Sequence, residues 1–235
     1  MKHPFAAQAK IATTTTLGAA AGGLTSLALH ARRPGNEATQ PNLHFDVAEM
    51  CNGILAGLVS TTASCAVVEP WAAVVVGAVG AVAYAAGATV LVALKIDDAV
   101  NACPVHFFAG LWGLLAPALF ARPENVRRAY DGANQGGLFY TGEVRMLACQ
   151  SLAALSITAF VAAVVFPFFL LFKKLGYLRV PMDEEIDGLD EAKHGGSAYD
   201  IEPIDSSRHS NRDAIAERSA SSGESVKSAI TEPTP

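Results

Sequence analysis

Apolar residues in this chain come in long runs, without the two-residue alternation of half-buried strands. Asp, Glu, Lys and Arg are absent from 11–29, from 47–68 apart from Glu49, from 70–94, from 99–121 and from 146–172. Each run is near or above the roughly 20 residues that cross a bilayer core as a helix. Buried helices of water-soluble domains rarely stay uncharged for so long, and a succession of them is rarer still. The pattern predicts an all-α polytopic membrane protein with about five transmembrane helices, at about 11–30, 47–67, 70–93, 99–121 and 146–172. The transmembrane domain is then 1–172, and the rest is tail.

Local signals sharpen the boundaries. The first run stops at "HARRPGNE", which is basic and rich in turn residues. The third opens with "EPWAA", where Pro70 suits the first turn of a helix and Trp71 suits a membrane interface. The fourth contains Pro104, which is expected to kink it or free a carbonyl. Gly53, Gly57, Gly77, Gly80 and Gly87 punctuate the runs. Small residues let helices approach closely in lipid, where burying apolar surface gives little drive for association. Their plainer role is tight packing, and the alternative is the wall of a narrow pathway.

Composition agrees: 51% of the 235 residues are hydrophobic and only 17% are charged. Residues 1–10 lack the apolar core of a secretory signal, and the chain starts abruptly, close to its first span. Lysines and arginines fall about equally on both sides of the predicted spans, so the positive-inside rule does not choose an orientation. Residues 173–203 carry turn residues and room for ordered structure. Residues 204–235 are rich in Ser, Glu and Pro and are expected to be disordered.

One residue raises the question of chemistry. His106 lies in "NACPVHFFAGLWG", inside an apolar run, beside Phe107 and with Trp112 nearby. Desolvation opposes a charged imidazole, and a neutral one offers one donor and one acceptor. In a soluble core such a histidine most often bonds to a neighbouring helix. In a membrane span a polar side chain is costly, which shifts the expectation toward a transport path or a proton relay. Asp97 and Asp98 stand at the entry of the same span, where a carboxylate caps free backbone N–H groups. Thr13–Thr16 are expected to bond to backbone or to bridge helices.

Several classes are excluded. Cys51, Cys65, Cys103 and Cys149 all lie in apolar segments with no metal-ligand spacing, so neither zinc nor disulfides are expected. Phosphate-binding glycine loops, a Ser/His/Asp set and a nucleic-acid patch are lacking too. The chain does not read as an enzyme, and it calls for no cofactor, metal or nucleic acid.

Three stretches, "NGILAGLVSTTASCAVVEPWAAVVVGAVG", "KIDDAVNACPVHFFAGLWGLLAPALFA" and "GLDEAKHGGSAY", together resemble the ammonium transporter family, the Amt/Mep branch of the wider Rhesus superfamily. The likeness implies a fold of eleven spans whose first ten form two inverted halves. It also implies a trimer with a pore in each subunit, a cytosolic C-terminus and a place in the plasma membrane. The five predicted spans look like the seventh to eleventh, so the likeness is expected to cover a C-terminal half only. His106 then matches the second of two pore histidines, with Phe107 and Trp112 beside it on the path, and Asp98 matches an acid at the start of the tenth span. Gly188, Asp190, His194 and Gly195 fall in a segment like the family's regulatory tail. Two departures stand out. Phe107 follows the histidine where the family usually has glycine, and Ala192 stands where many plant relatives carry a phosphorylatable threonine.

The function expected from this resemblance is transport of ammonium or ammonia across a lipid bilayer through a narrow apolar pore lined by His106. The chain is expected to act as part of a longer protein or an oligomer, and not to conduct alone. The other reading is a non-conducting subunit that assembles with full-length relatives and modulates them.

Overall fold

The structure is a computed structural model that describes residues 4–31, 46–130 and 135–181, together with Glu184, Leu189 and Lys193. Its described elements are all helical. In order they are α1 (Pro4–Ala31), α2 (Val47–Thr62), α3 (Pro70–Ala93), a π-helical turn (Pro104–Phe108), α4 (Ala109–Phe120), α5 (Pro123–Ala129), α6 (Leu138–Thr141) and α7 (Arg145–Lys174). The chain divides into two compact units, residues 1–165 and 166–235.

The boundaries follow local chemistry. Asp46 opens α2 by accepting from the N–H groups of Ala48 and Glu49 at 2.9 and 3.2 Å. Pro70 begins α3, where its missing N–H costs nothing. Lys95 ends that helix in the left-handed region (φ 56°), and Ile96 N–H reaches back to the Leu91 carbonyl at 3.0 Å. In the second unit, Gly176 (φ 77°) closes α7 the same way, with Tyr177 N–H donating to the Phe172 carbonyl at 3.1 Å.

The number of spans differs from the sequence expectation of five. Two helices, α3 and α7, are long and apolar enough to cross a membrane, or three segments if Pro104–Phe120 and Pro123–Ala129, bent by 111°, count as one. The 28-residue α1 is long enough, but its threonines and glycines dilute its apolar character. The 16-residue α2 is only about 24 Å long at 1.5 Å per residue, short of a ~30 Å hydrocarbon core. Its apolar run continues past Thr62 as turns, with Val67 and Val68 N–H both bonded to the Ser64 carbonyl. The correspondence to the seventh to eleventh spans of a larger fold therefore finds no five-span counterpart here.

Helices α1, α2 and α3 pack through their small residues. A Cβ built on Gly77 of α3 would collide with the backbone of Gly18 on α1, and one on Gly57 of α2 would meet the same Gly18 carbonyl. That seam brings main chain against main chain, a close approach that only glycine permits. Thr14, fully buried, donates to the Cys65 carbonyl at 2.8 Å and ties α1 to the turns that follow α2. The two apolar clusters of the first unit lie on α3 and the α4 segment. One gathers Val67, Val68, Ala72, Ala73, Val76, Ala116 and Phe120 with their neighbours, the other Ala56, Tyr84, Val105 and Ala109. Helix α7 buries only Ala154.

Candidate functional site

His106 lies on a turn whose geometry begins several residues earlier. Asp98 accepts from Ala102 N–H at 2.9 Å and from Cys103 N–H at 2.8 Å, satisfying two free donors at the helix entry. Asn101 sits between them in the left-handed region (φ 55°), and its carbonyl accepts from Val105 N–H at 3.1 Å. Pro104 then opens the π-helical turn, and Ala109 N–H reaches back five residues to the Pro104 carbonyl. A turn of this width inserts one residue into the helical register, a feature frequent at functional sites.

The extra residue divides the segment. Val105 and Ala109 are buried, while His106 and Phe107 are exposed side by side. On the exposed side lies a groove of about 200 Å³ lined by His106, Phe107, Gly110, Leu111 and Leu114 of the α4 segment and by Ala154, Ile157 and Thr158 of α7. Its wall is apolar apart from the imidazole and one hydroxyl. Phe107 meets Phe108 edge to face, with ring centroids 5.4 Å apart, and Phe108 lies over Gly87 of α3, where a Cβ would come within 2.7 Å of its ring.

The other predicted residues go elsewhere. Trp112 turns to α3 and donates its indole N–H to the Val76 carbonyl at 2.9 Å, so it does not line the groove with His106. Asp98 is engaged with backbone, and Asp97 is exposed. Gly188, Asp190, His194, Gly195 and Ala192 lie outside the described residues, as do 204–235. The four cysteines are free, and no group of three or more His, Cys, Asp or Glu among the described residues could hold a metal ion.

Two polar nodes flank the apolar middle of the first unit. At one end the fully buried Tyr84 donates its hydroxyl to Glu49 at 2.7 Å and accepts from Asn52 at 3.1 Å and Asn101 at 3.3 Å. His30 Nε2 lies 3.1 Å from the same Glu49 oxygen, and Ser26 donates to the Glu49 carbonyl at 2.7 Å. At the other end Glu69 receives Asn125 at 2.7 Å and Lys10 at 3.2 Å, with Arg122 at 3.6 Å. The Asn125 amide bond holds the Glu69 carboxyl below the usual carboxylate range; Lys10 and Arg122 act the same way, and burial opposes them. A second, more polar cavity of about 350 Å³, lined by Gln135, Glu143, Arg145 and Gln150 among others, shares no lining residue with the His106 groove.

The sequence reading passed over the Tyr84 node. Its signal was present: Glu49 is the one charge in the 47–68 run, and Tyr84 is the one tyrosine in 70–94. A polar residue interrupting an apolar run is costly unless partnered, so each interruption points to a partner across helices.

The fold and groove define a helical membrane protein with segments apolar enough to cross a bilayer and an apolar groove carrying one imidazole. The chain belongs to the Ammonium Transporter Family, whose model matches residues 3–199. That match overturns the expectation that the likeness covers a C-terminal half only: it extends over nearly the whole chain. The chain is 35% identical over 209 residues to ammonium transporter 1 member 2 of Oryza sativa subsp. japonica, covering 88% of this chain and 40% of that protein. It is 39% identical over 159 residues to ammonium transporter 3 of Dictyostelium discoideum, covering 67% of this chain and 37% of that protein. The crystal structure of the N240A mutant of Candida albicans Mep2 superposes with a TM-score of 0.66 at 26% identity, over 80% of this chain and 40% of that one. The chain thus spans about two fifths of the length of the curated relatives it matches. The family is one of transporters, not of catalysts.

Proposed function

We propose that this chain takes part in moving ammonium or ammonia across a lipid bilayer, along the groove where His106 is exposed. The observation that carries the reading is the groove itself: an imidazole set among Phe107, Leu111, Leu114, Ala154 and Ile157, in a chain of this family. Stripping water from ammonium and carrying the ion through an apolar passage is expensive. Leaving one proton on the entry side and passing neutral ammonia avoids much of that cost. The His106 ring then serves the neutral molecule, donating to its lone pair or accepting from its N–H. Phe107 narrows the groove beside it.

On this reading the chain works within a longer protein or an oligomer such as a trimer, in the plasma membrane with its tail in the cytosol. Asp98 and Asp97 serve the helix entry and not the path. The second reading is a non-conducting subunit that assembles with full-length relatives.

Methylammonium uptake in cells lacking their own ammonium transport separates the two. The chain is expressed alone, within its longer form, or beside a full-length relative. Uptake that requires the longer form and falls with His106→Ala supports the path reading. Co-purification with the relative, with altered uptake that His106→Ala leaves untouched, supports the second reading. Robust uptake by the chain alone contradicts the need for more protein.

A further inference from the structure

We propose that Tyr84 is the positioning residue of the His106 turn, and that the polar node around its hydroxyl fixes where the imidazole points. Tyr84 is fully buried in the middle of the third helix, away from the groove, yet it reaches the turn in two ways. Its ring packs in one cluster with Val105 and Ala109, the buried residues on either side of His106 in the π-helical turn and at its end. Its hydroxyl accepts from the Asn101 amide at 3.3 Å. Asn101 holds a left-handed backbone at the turn's entry, and its carbonyl accepts from Val105 N–H at 3.1 Å. The chain of contacts from Tyr84 to the residue before His106 is therefore short and direct. One turn further along α3, Gly87 leaves the space that Phe108 fills. Side chains three apart lie on one helix face, so α3 presents a single cradle to both ends of the turn.

The remaining partners make Tyr84 a rigid anchor. A phenolic oxygen has one donor and two acceptor sites, and here all three are used: it donates to Glu49 and accepts from Asn52 and Asn101. These come from α2 and from the entry of the α4 segment. Glu49 is itself fixed by His30 and Ser26 of α1. A saturated network in a low-dielectric interior rigidifies the groups it joins. Removing the hydroxyl leaves the part-buried Glu49 carboxylate and two amides one partner short, and of these groups Asn101 is the one that carries the turn.

The value of His106 as a path residue rests on the reading given above, but its position can be read without transport. The experiment is NMR of the purified chain, labelled on histidine, with the His106 ring signals identified by their loss in His106→Gln. Tyr84→Phe is expected to shift the His106 signals beyond their linewidth. Glu49→Gln keeps an acceptor for the hydroxyl and is expected to leave them in place. Trp112→Phe removes another hydrogen bond between this segment and α3 and is also expected to leave them in place. Should Tyr84→Phe not fold, Asn101→Gly, which keeps the left-handed backbone while deleting the amide, is expected to give the same shift. Unmoved His106 signals in Tyr84→Phe or Asn101→Gly overturn the proposal. So do equal shifts in Tyr84→Phe and Trp112→Phe, since they reveal general loosening and not positioning. Absent ammonium flux with the expected shifts would count against the path reading alone.

Discussion

On one side of the α4 segment, Val105, Ala109, Gly113 and Ala116 are buried against α2 and α3; on the other, His106, Phe107 and Leu111 are exposed along the groove. The buried side is made of small residues set against backbone. Ser60 of α2 donates to the Ala109 carbonyl at 3.0 Å, and its own main chain lies against Gly113. The open side carries the larger groups and the one imidazole. The same helix thus meets two requirements with different residue types. In lipid, contact between helices comes from close backbone approach, so the packed side is written in Gly, Ala and Ser. The open side faces the groove. Helix α7 extends the contrast: it is long and apolar, yet Ala154 alone is buried. Apolar content makes a segment fit for the membrane, while small residues decide where it packs.

Gly113 and Gly110 test that contrast most strongly: they sit one turn apart, Gly113 buried against α2 and Gly110 at the edge of the groove. A Cβ on Gly113 would lie 2.7 Å from the Ser60 backbone, whereas one on Gly110 would meet only Val59 at 3.6 Å. Gly113→Ala should cost about 1–3 kcal/mol, as overpacking does, and lower the melting temperature in detergent. Gly110→Ala should stay within about 0.5 kcal/mol of the parent. Equal costs would erase the distinction between the two sides.

The Glu69 node gives the next effect. Its carboxyl is held below the usual range in the folded state, chiefly by Asn125. Its contribution is therefore present above the unfolded carboxyl's value and is lost as pH falls through the folded value. Thermal melts across acidic pH should show this loss in the parent. Glu69→Gln should melt lower at neutral pH, by about 1.5 kcal/mol, the low end for hydrogen bonds to a charged group because Gln keeps an acceptor for Asn125, and should lack that component of the acid sensitivity.

Trp112→Phe should have a smaller effect, about 1 kcal/mol for one hydrogen bond to the Val76 carbonyl. Because the indole faces α3 and not the groove, ammonium flux should stay within about twofold of the parent, the change that a few tenths of a kcal/mol gives. A larger loss of flux would return Trp112 to the path on which the sequence placed it.

What the sequence disclosed depended on the kind of signal. Charge-free runs located α3 at its observed limits and α7 to within two residues at either end. They misjudged the second run, because hydropathy does not distinguish helix from the turns that follow Thr62, where Thr61 and Thr62 hydroxyls bond back to the Gly57 and Leu58 carbonyls. His106 stood out as a titratable group in an apolar run. The side it faces did not, because that depends on the extra residue of the π-helical turn, set by Asn101 and Pro104 together. The side to which Trp112 turns, toward the Val76 carbonyl, was not visible either. Tyr84 and Glu49 were visible as polar interruptions, but only the packed helices show that they are partners.

The claim at the centre is that the exposed side of the α4 segment is the ammonium path. Stopped-flow measurement of ammonium-driven pH change in proteoliposomes tests it most directly, comparing the chain, in the assembly that supports uptake, with its His106→Ala variant. Loss of one well-placed hydrogen bond, about 1.4 kcal/mol, predicts a fall in flux of roughly tenfold with the protein still folded. Equal flux and equal selectivity in the two would contradict the account.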